Sequence, residues 1–533
     1  MHQPSAPDPT ARSRFSWQLG AVLALLVACA PEGAVPAARN PAGEIPAEVP
    51  VLRVGAQGIA ADLVPRDTAI PWYQFWPMYD SLTQLGKDYR VEPSLAERWE
   101  LAPDGLSWTF TLRRDVRWPD GSPLTAQDVK FTIESLIEQN TSIRARIPAV
   151  IGARLLDDDR VELSTSRVDV SVPNNGAVLW IFPRQAIEQI GWGAFTAQPF
   201  GSGPYELVEY RSADLLRYRK KSTPHPFRSP VANELVIRTI PEPAQLIAGL
   251  RSGELDLVPA ANFSVEQIGQ LKNAGFQIEA PLASSVYLVM MYGAAQTRRT
   301  PLRDRRVRYA INYAVDRFTM ARQFYGTYAQ PTGQQAVPGS LYFDPDAPPW
   351  PFDPQRAKQL LAEAGYPNGF RLEIGIVFTP LRSPAEVMLA VKQYLADVGI
   401  DTPVLQTEVG VWTDYAFGRN NTPQPDFLAT FSLESDGFYT NWRAVAGCDR
   451  GGSIEKAWTC TPEGDRTFDA ALSEPDPTRR SQVLRQANRV FREDAPVLFL
   501  VNGPQFFVSS PKLRGLTLPT PQFYNLDSVY LVR

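Results

Sequence analysis

Histidine is nearly missing from this chain. Only His2 and His225 occur in 533 residues, and His2 precedes an apolar run that reads as removable, so the mature protein keeps one imidazole. A metal centre built on imidazole ligands is therefore not expected. No GxSxG, HExxH or reactive-cysteine motif occurs either, which leaves hydrolysis without a nucleophile and base. The expectation is a protein that binds, not an enzyme, and one that needs no cofactor. There is no basic tract: Lys+Arg 53 against Asp+Glu 57 gives a net charge of -4, so nucleic acid is not an expected partner. A membrane-spanning run is missing as well, since the longest apolar stretch, residues 19–28, is too short to cross a bilayer.

What is there fits an exported globular protein. The chain is 44% hydrophobic and 21% charged, the balance of a soluble fold, and its length suggests two or three domains. Forty-nine prolines point to many ordered turns. The apolar run follows Arg12 and Arg14 and ends in Leu26-Val27-Ala28-Cys29, which has the parts of a secretory signal. The small residue just before a cysteine resembles the bacterial lipobox. Cleavage before Cys29 would leave it carrying lipid chains that hold the protein to a membrane; a plain secretory signal with an incidental cysteine is the other reading. The Pro- and Ala-rich residues 30–48 read as a tether. In an oxidising compartment Cys448 and Cys460 can form a disulfide worth roughly 3 kcal/mol, with two buried thiols as the alternative.

The most informative stretch is residues 93–136, PSLAERWELAPDGLSWTFTLRRDVRWPDGSPLTAQDVKFTIESL. Trp108, Phe110 and Leu112 alternate with Ser107, Thr109 and Thr111 after a Pro103-Asp104-Gly105 turn, the period of a half-buried strand. A second turn at Pro119-Asp120-Gly121 leads to Thr125, with Asp128 three residues on and Val129, Ile133 and Leu136 on one face. That is a capping box opening an amphipathic helix.

These words resemble the extracellular solute-binding proteins of family 5, the oligopeptide, dipeptide and nickel receptors of ABC importers. The family's "PsLAesW", "pDG", "tFtLR" and "dG.pltAeDV" stand here in order. Further along, PFGSGPYELVEY (199–210) resembles "PiGTGPY", SGELDL (252–257) resembles "sGeiDla", and PLRDRRVRYAINYAVDR (301–317) resembles "plnDvrVRqAlnyAiDr". The residues of the last segment predict one helix from an Asp304 cap to Gly326, with Val307, Ala310, Ile311, Ala314, Val315 and Phe318 inward and arginines 303, 305, 306 and 308 solvated. Asp353-Pro354 to Gly365, with its "AGypnGf" sequel, and Ser383 to Val398 predict two further capped helices around a strand. No P-loop lysine follows the glycines of 199–210, so phosphate binding is not expected there.

The resemblance implies an α/β fold of the periplasmic-binding-protein-like type II, two hinged lobes plus an extra domain. The implied segments are 1–28 lipoprotein signal peptide, 29–48 tether, 49–88 domain I, 89–198 domain II, 199–296 domain I again, 297–499 domain III and 500–533 the last part of domain I. It also implies a monomer outside the cytoplasm, in the periplasm or at the cell surface, lipid-anchored, that hands an oligopeptide or other small solute to an ABC permease and its ATPase. For the ligand it points to residues 426–442, DFLATFSLESDGFYTNW: family members that bind peptides place an Asp after a strand end to pair with the α-ammonium, and Asp436 is the matching acid. Gly437-Phe438-Tyr439 replaces the family's following "pDP", so a turn-forming Asp before Gly remains the competing reading. Trp412, Phe431, Tyr439 and Trp442 are candidate aromatic walls, or core. Gln57 to Leu63 follow the first strand, where open α/β sheets bind ligands, with an ordinary connecting loop as the equal alternative for any one residue there. An oligosaccharide receptor and a ligand-presenting sensory module are the alternatives.

Overall fold

The computed structural model describes residues 49–59, 62–65, 72–86, 90–139, 141, 143–144, 147–260, 263–281, 285–291, 301–334, 336–338, 340, 343–377, 385–407, 427–433, 462–518 and 526–532. Val51–Ala56 forms a strand whose apolar residues are interrupted only by Arg53, which reaches the Asp256 carboxylate. Leu52 and Val54 are fully buried, and Gly55 lies under Leu246 and Leu255. This strand pairs in parallel with Glu234–Thr239 on one side and Leu257–Ala260 on the other. The whole sheet has seven strands, in the order Gln277–Glu279, Phe506–Ser509, Leu257–Ala260, Val51–Ala56, Glu234–Thr239, Leu215–Lys220 and Tyr205–Arg211. Helices Pro243–Ser252 and Val265–Asn273 cover it through Leu246, Leu250, Ile268 and Leu271.

A second sheet of six strands runs Gln330–Pro331, Val497–Gly503, Ser285–Met291, Phe427–Leu433, Ile374–Val377, Val404–Thr407. Helices Arg305–Ala314, Pro354–Glu363 and Ala385–Ala396 give it a core of its own around Val307, Ile311, Leu360, Val391, Leu498 and Leu500. Two sheets with separate cores make two lobes.

A third, antiparallel sheet of four strands is built from Ala96–Leu101, Ser107–Leu112, Arg160–Thr165 and Val150–Leu155. Helix Ala126–Glu138 packs on it and opens with the expected capping box of Thr125 and Asp128. Its core residues Phe110, Ile133 and Val161 belong to the same cluster as Leu52, Val54 and Leu235 of the first lobe. Aromatic contacts extend across the join: Trp76 meets Trp180 edge-on at 5.9 Å and Tyr79 meets Phe182 at 5.7 Å. This domain is therefore an extension of the first lobe, fused to it by one continuous core.

The segment after Asp304 departs from the single helix that its apolar spacing predicts. There are two, Arg305–Ala314 and Arg317–Tyr325. Asp316 accepts the Thr319 amide and starts the second, while Phe318 is 59% exposed. Arg317 causes the break by turning inward. Fully buried, it donates to the carbonyl oxygens of Asn312, Val315 and Phe499 and to Asn312 Oδ1. Burial, reinforced by the nearby Arg492, lowers its pKa to about 9. Arg308 is another correction: it is not solvated but buried, held by Asp494 at 2.9 Å.

One buried polar network ties distant parts of the first lobe together. Arg228 donates Nε and Nη2 to the two Asp527 oxygens at 2.7 and 3.1 Å and Nη1 to Asp80 Oδ1 at 3.1 Å. Asp80 Oδ2 also meets His225 Nε2 at 3.0 Å and the Ser202 hydroxyl at 2.7 Å. Burial alone would raise the Asp80 pKa. The His225 imidazole, by charge and hydrogen bond, then Arg228 and Ser202, pull it well below the usual carboxylate range. Ser202 belongs to the PFGSGPY motif, whose Gly201 and Gly203 lie against the backbone of Pro77 and Met78. Met78 O accepts the Gly203 amide at 2.8 Å, and Pro77 O the Tyr205 amide at 3.0 Å. The motif is a structural clasp, in keeping with the absence of any phosphate-binding pattern after it.

Candidate functional site: the interlobe cleft and hinge

In the first sheet the parallel strands Val51–Ala56, Glu234–Thr239 and Leu257–Ala260 all end at one edge. Ala56 pairs with Thr239, and Ala260 with Phe506, the first residue of its strand. Glu279, the last residue of Gln277–Glu279, reaches the same edge opposite Phe507. In the second sheet Ser285 opens its strand while Gly503 and Leu433 close theirs, and Ser285 pairs with both. The chain thus goes from sheet to sheet twice, leaving neighbouring strands of one sheet and entering neighbouring strands of the other, after Glu279 and after Gly503. Pro281 and Pro504 stand in these two crossings, where a missing amide keeps the link out of either ladder. Two adjacent short links between separately packed lobes make a hinge.

The cleft between these edges is where open α/β sheets take ligands, outside the carboxyl ends of their strands. Near these strand ends several polar groups are buried with nothing to bond. Gln57, just after the first strand, is 6% exposed, yet both its side-chain Nε2 and Oε1 are buried without a partner. On the neighbouring strand the Thr239 hydroxyl is in the same state, and so is Asn502 Oδ1 at the hinge end of the second sheet. Buried polar atoms left unpaired cost stability. The sequence placed Gln57 at a strand end, but the states of Thr239 and Asn502 depend on register and packing, which leave no mark in one sequence.

Of the ligand residues expected from sequence, Phe431 is in the strand Phe427–Leu433, opposite Tyr287 and two residues from the hinge end. Trp412, Asp436, Tyr439 and Trp442 lie outside the described residues, as do Cys29, Cys448 and Cys460. Asp256 of the SGELDL segment is structural: its carboxylate accepts the Arg53 amide, Nε and Nη2 at 2.8 to 2.9 Å. His225 is committed to Asp80. Among the described residues no group of three or more His, Cys, Asp or Glu side chains is arranged to hold a metal ion, and no helix is long and apolar enough to cross a membrane.

Two lobes hinged about a strand-end cleft, with an extra domain on one of them, define a periplasmic-binding-protein-like solute receptor. Residues 90–433 match the family model "Bacterial extracellular solute-binding proteins, family 5 Middle", and the chain belongs to that family, whose members are extracytoplasmic substrate-binding components of ABC transporters. The glutathione-binding protein GsiB of Salmonella choleraesuis is 25% identical over 480 residues, spanning 85% of this chain and 88% of that protein. Heme-binding protein A of Haemophilus influenzae is 25% identical over 471 residues, 82% and 84% of the two chains. Among solved structures, the ABC transporter-associated periplasmic binding protein DppA from Helicobacter pylori, in complex with the peptide STSA, matches with a TM-score of 0.79 at 19% identity, over 90% of this chain and 98% of that one.

Proposed function

We propose that this protein is the receptor of an ABC importer for short peptides, closing its lobes over the ligand and delivering it to the permease and ATPase. The observation that carries the reading is Gln57: just after the first strand, at the carboxyl end of a parallel sheet, it has an amide whose donor and acceptor are both buried and unpaired, and opening of the lobes would offer that amide to a peptide unit, which has one acceptor and one donor. A glutathione-binding relative and a peptide-bound structural neighbour support the same class. Heme or nickel held by imidazole is disfavoured by His225, whose Nε2 is spent on Asp80. In the same reading Asp436 pairs with the ligand's ammonium, Phe431, Tyr439, Trp442 and Trp412 line the cleft, and Cys448 pairs with Cys460. Residues 1–28 are removed, Cys29 carries the lipid anchor, and the mature protein acts as a monomer at the membrane. In this reading the chain divides into domain I, domain II (89–198) and domain III, with the strands Ser285–Met291 and Val497–Gly503, both in the second sheet, counted with domain III.

Native mass spectrometry of exported, gently purified protein tests this. Release of short peptides of mixed sequence is expected; a sugar or a single non-peptide solute would end the peptide reading. Two variants refine it. Asp436→Asn should lower peptide retention by about tenfold or more if it meets the ammonium, and undiminished retention returns Asp436 to a turn. Gln57→Leu should retain less peptide while melting higher, because removing a buried unpaired amide relieves roughly 1–2 kcal/mol. A lower melting point with unchanged retention would show Gln57 to be structural.

A further inference from the structure

The loop from Arg167 to Ser171, beyond the last strand of the four-stranded sheet, touches the opposite lobe. Val170 donates its amide to the Leu472 carbonyl at 2.9 Å. Leu472 is the last residue of helix Pro462–Leu472, which packs on helix Pro477–Asp494 of the second lobe. The bond therefore joins two bodies with separate cores. It is also remote in sequence from both hinge crossings.

The loop is held rigid on its own side. Trp108 Nε1 donates to the Asp169 carbonyl at 2.9 Å. Asp169 Oδ1 accepts both the amide and the hydroxyl of Ser171, at 2.9 and 2.5 Å, and Asn175 Nδ2 donates to Ser171 Oγ at 3.0 Å. Asp169 and Ser171 are 2% and 3% exposed, and Val168 lies against the hairpin turn at Gly105. On the other side, the Leu472 carbonyl is one of the four that a helix leaves without an intrahelical donor, at its negative end. Three residues before Val170, Arg167 has Nε and Nη2 buried with no hydrogen-bond partner.

We infer that this loop is a closure latch. When the second lobe swings onto the cleft, the Val170 amide caps the Leu472 carbonyl, and the extra domain thereby biases the receptor toward its closed state without touching ligand. The inference rests on the hinged-receptor reading, because it needs lobes that move. It also accounts for the four-stranded domain, which is fused to the first lobe and so carries a fixed donor to where the second lobe arrives. One hydrogen bond to an otherwise uncapped carbonyl shifts an open–closed balance by about tenfold.

The test uses the exported protein with no ligand added. Hydrogen exchange at single-amide resolution should show the Val170 amide slowed at least about tenfold relative to an unstructured chain. Small-angle scattering is then compared for Val170→Pro, which removes the donor, and Val170→Ala, which keeps it. Val170→Pro should have the larger radius of gyration, and Val170→Ala should match the parent. Exchange of Val170 at the unstructured rate overturns the latch, and so does a protected amide with Val170→Pro and Val170→Ala scattering alike. If Val170→Pro fails to fold, the exchange measurement decides alone. Neither readout involves a peptide, so a receptor that proves to bind another solute leaves the latch standing.

Discussion

Replacing Arg228 by Leu should destabilise the first lobe by about 3–5 kcal/mol, read as a lowered calorimetric transition, because it strips the cation from two buried carboxylates at once. Asp80 and Asp527 are 2% and 5% exposed, and they stand 148 and 299 positions from Arg228 in the chain. The guanidinium is what joins the early loop, the mid-chain loop and the C-terminal segment. Its fork reaches both acids while its plane covers Trp76, 4.9 Å from the ring centroid. Lysine has neither the fork nor the plane, so Arg228→Lys should fail nearly as badly. A variant melting like the parent would show that the network is incidental.

The same network gives the protein an acid limit. Asp80 has a folded pKa below its unfolded value of about 3.9. Its contribution is therefore complete above that value and is lost as pH falls toward the folded pKa. Between pH 5 and pH 3, the melting temperature of the parent should fall more steeply than that of Asp80→Asn, which lacks the contribution at every pH. Parallel slopes would place the acid sensitivity elsewhere.

Gly201→Ala should cost about 2–3 kcal/mol, and more if the clasp opens, since the added methyl has no room. A Cβ there would sit 2.2 Å from the Met78 carbonyl oxygen and 2.6 Å from Tyr79 Cδ1. The first of these is backbone, already engaged by the Gly203 amide, so it cannot turn aside as a flexible side chain would. Moving residues 78–80 also moves Asp80 off Ser202. Gly201→Ala combined with Arg228→Leu should then cost less than the sum of the two, as expected for groups in one network. Full additivity, or a Gly201→Ala variant as stable as the parent, would contradict this coupling.

Much of the framework is written in short-range chemistry. The Thr125 box, the Asp304, Asp353 and Asp476 caps and the hairpin at 103–105 each depend on residues within a few positions of one another, and these are legible in one sequence. The break at 315–316 is not. Val315 and Phe318 continue the apolar spacing of the helix before them, and the inward turn of Arg317 that ends that helix is completed by the distant Phe499 carbonyl, together with Asn312 and Val315.

The sequence by itself determined the α/β class, the family, the cap positions and the scarcity of catalytic groups, because local propensity and residue chemistry act between neighbours in the chain. Tertiary structure alone decided that the extra domain shares the core of the first lobe, that the two crossings join neighbouring strands, that Gln57 is left unpaired and that Val170 reaches Leu472. Each of these joins residues far apart in the chain. Their proximity follows from sheet register and packing, which depend on the whole chain rather than on any one stretch of it.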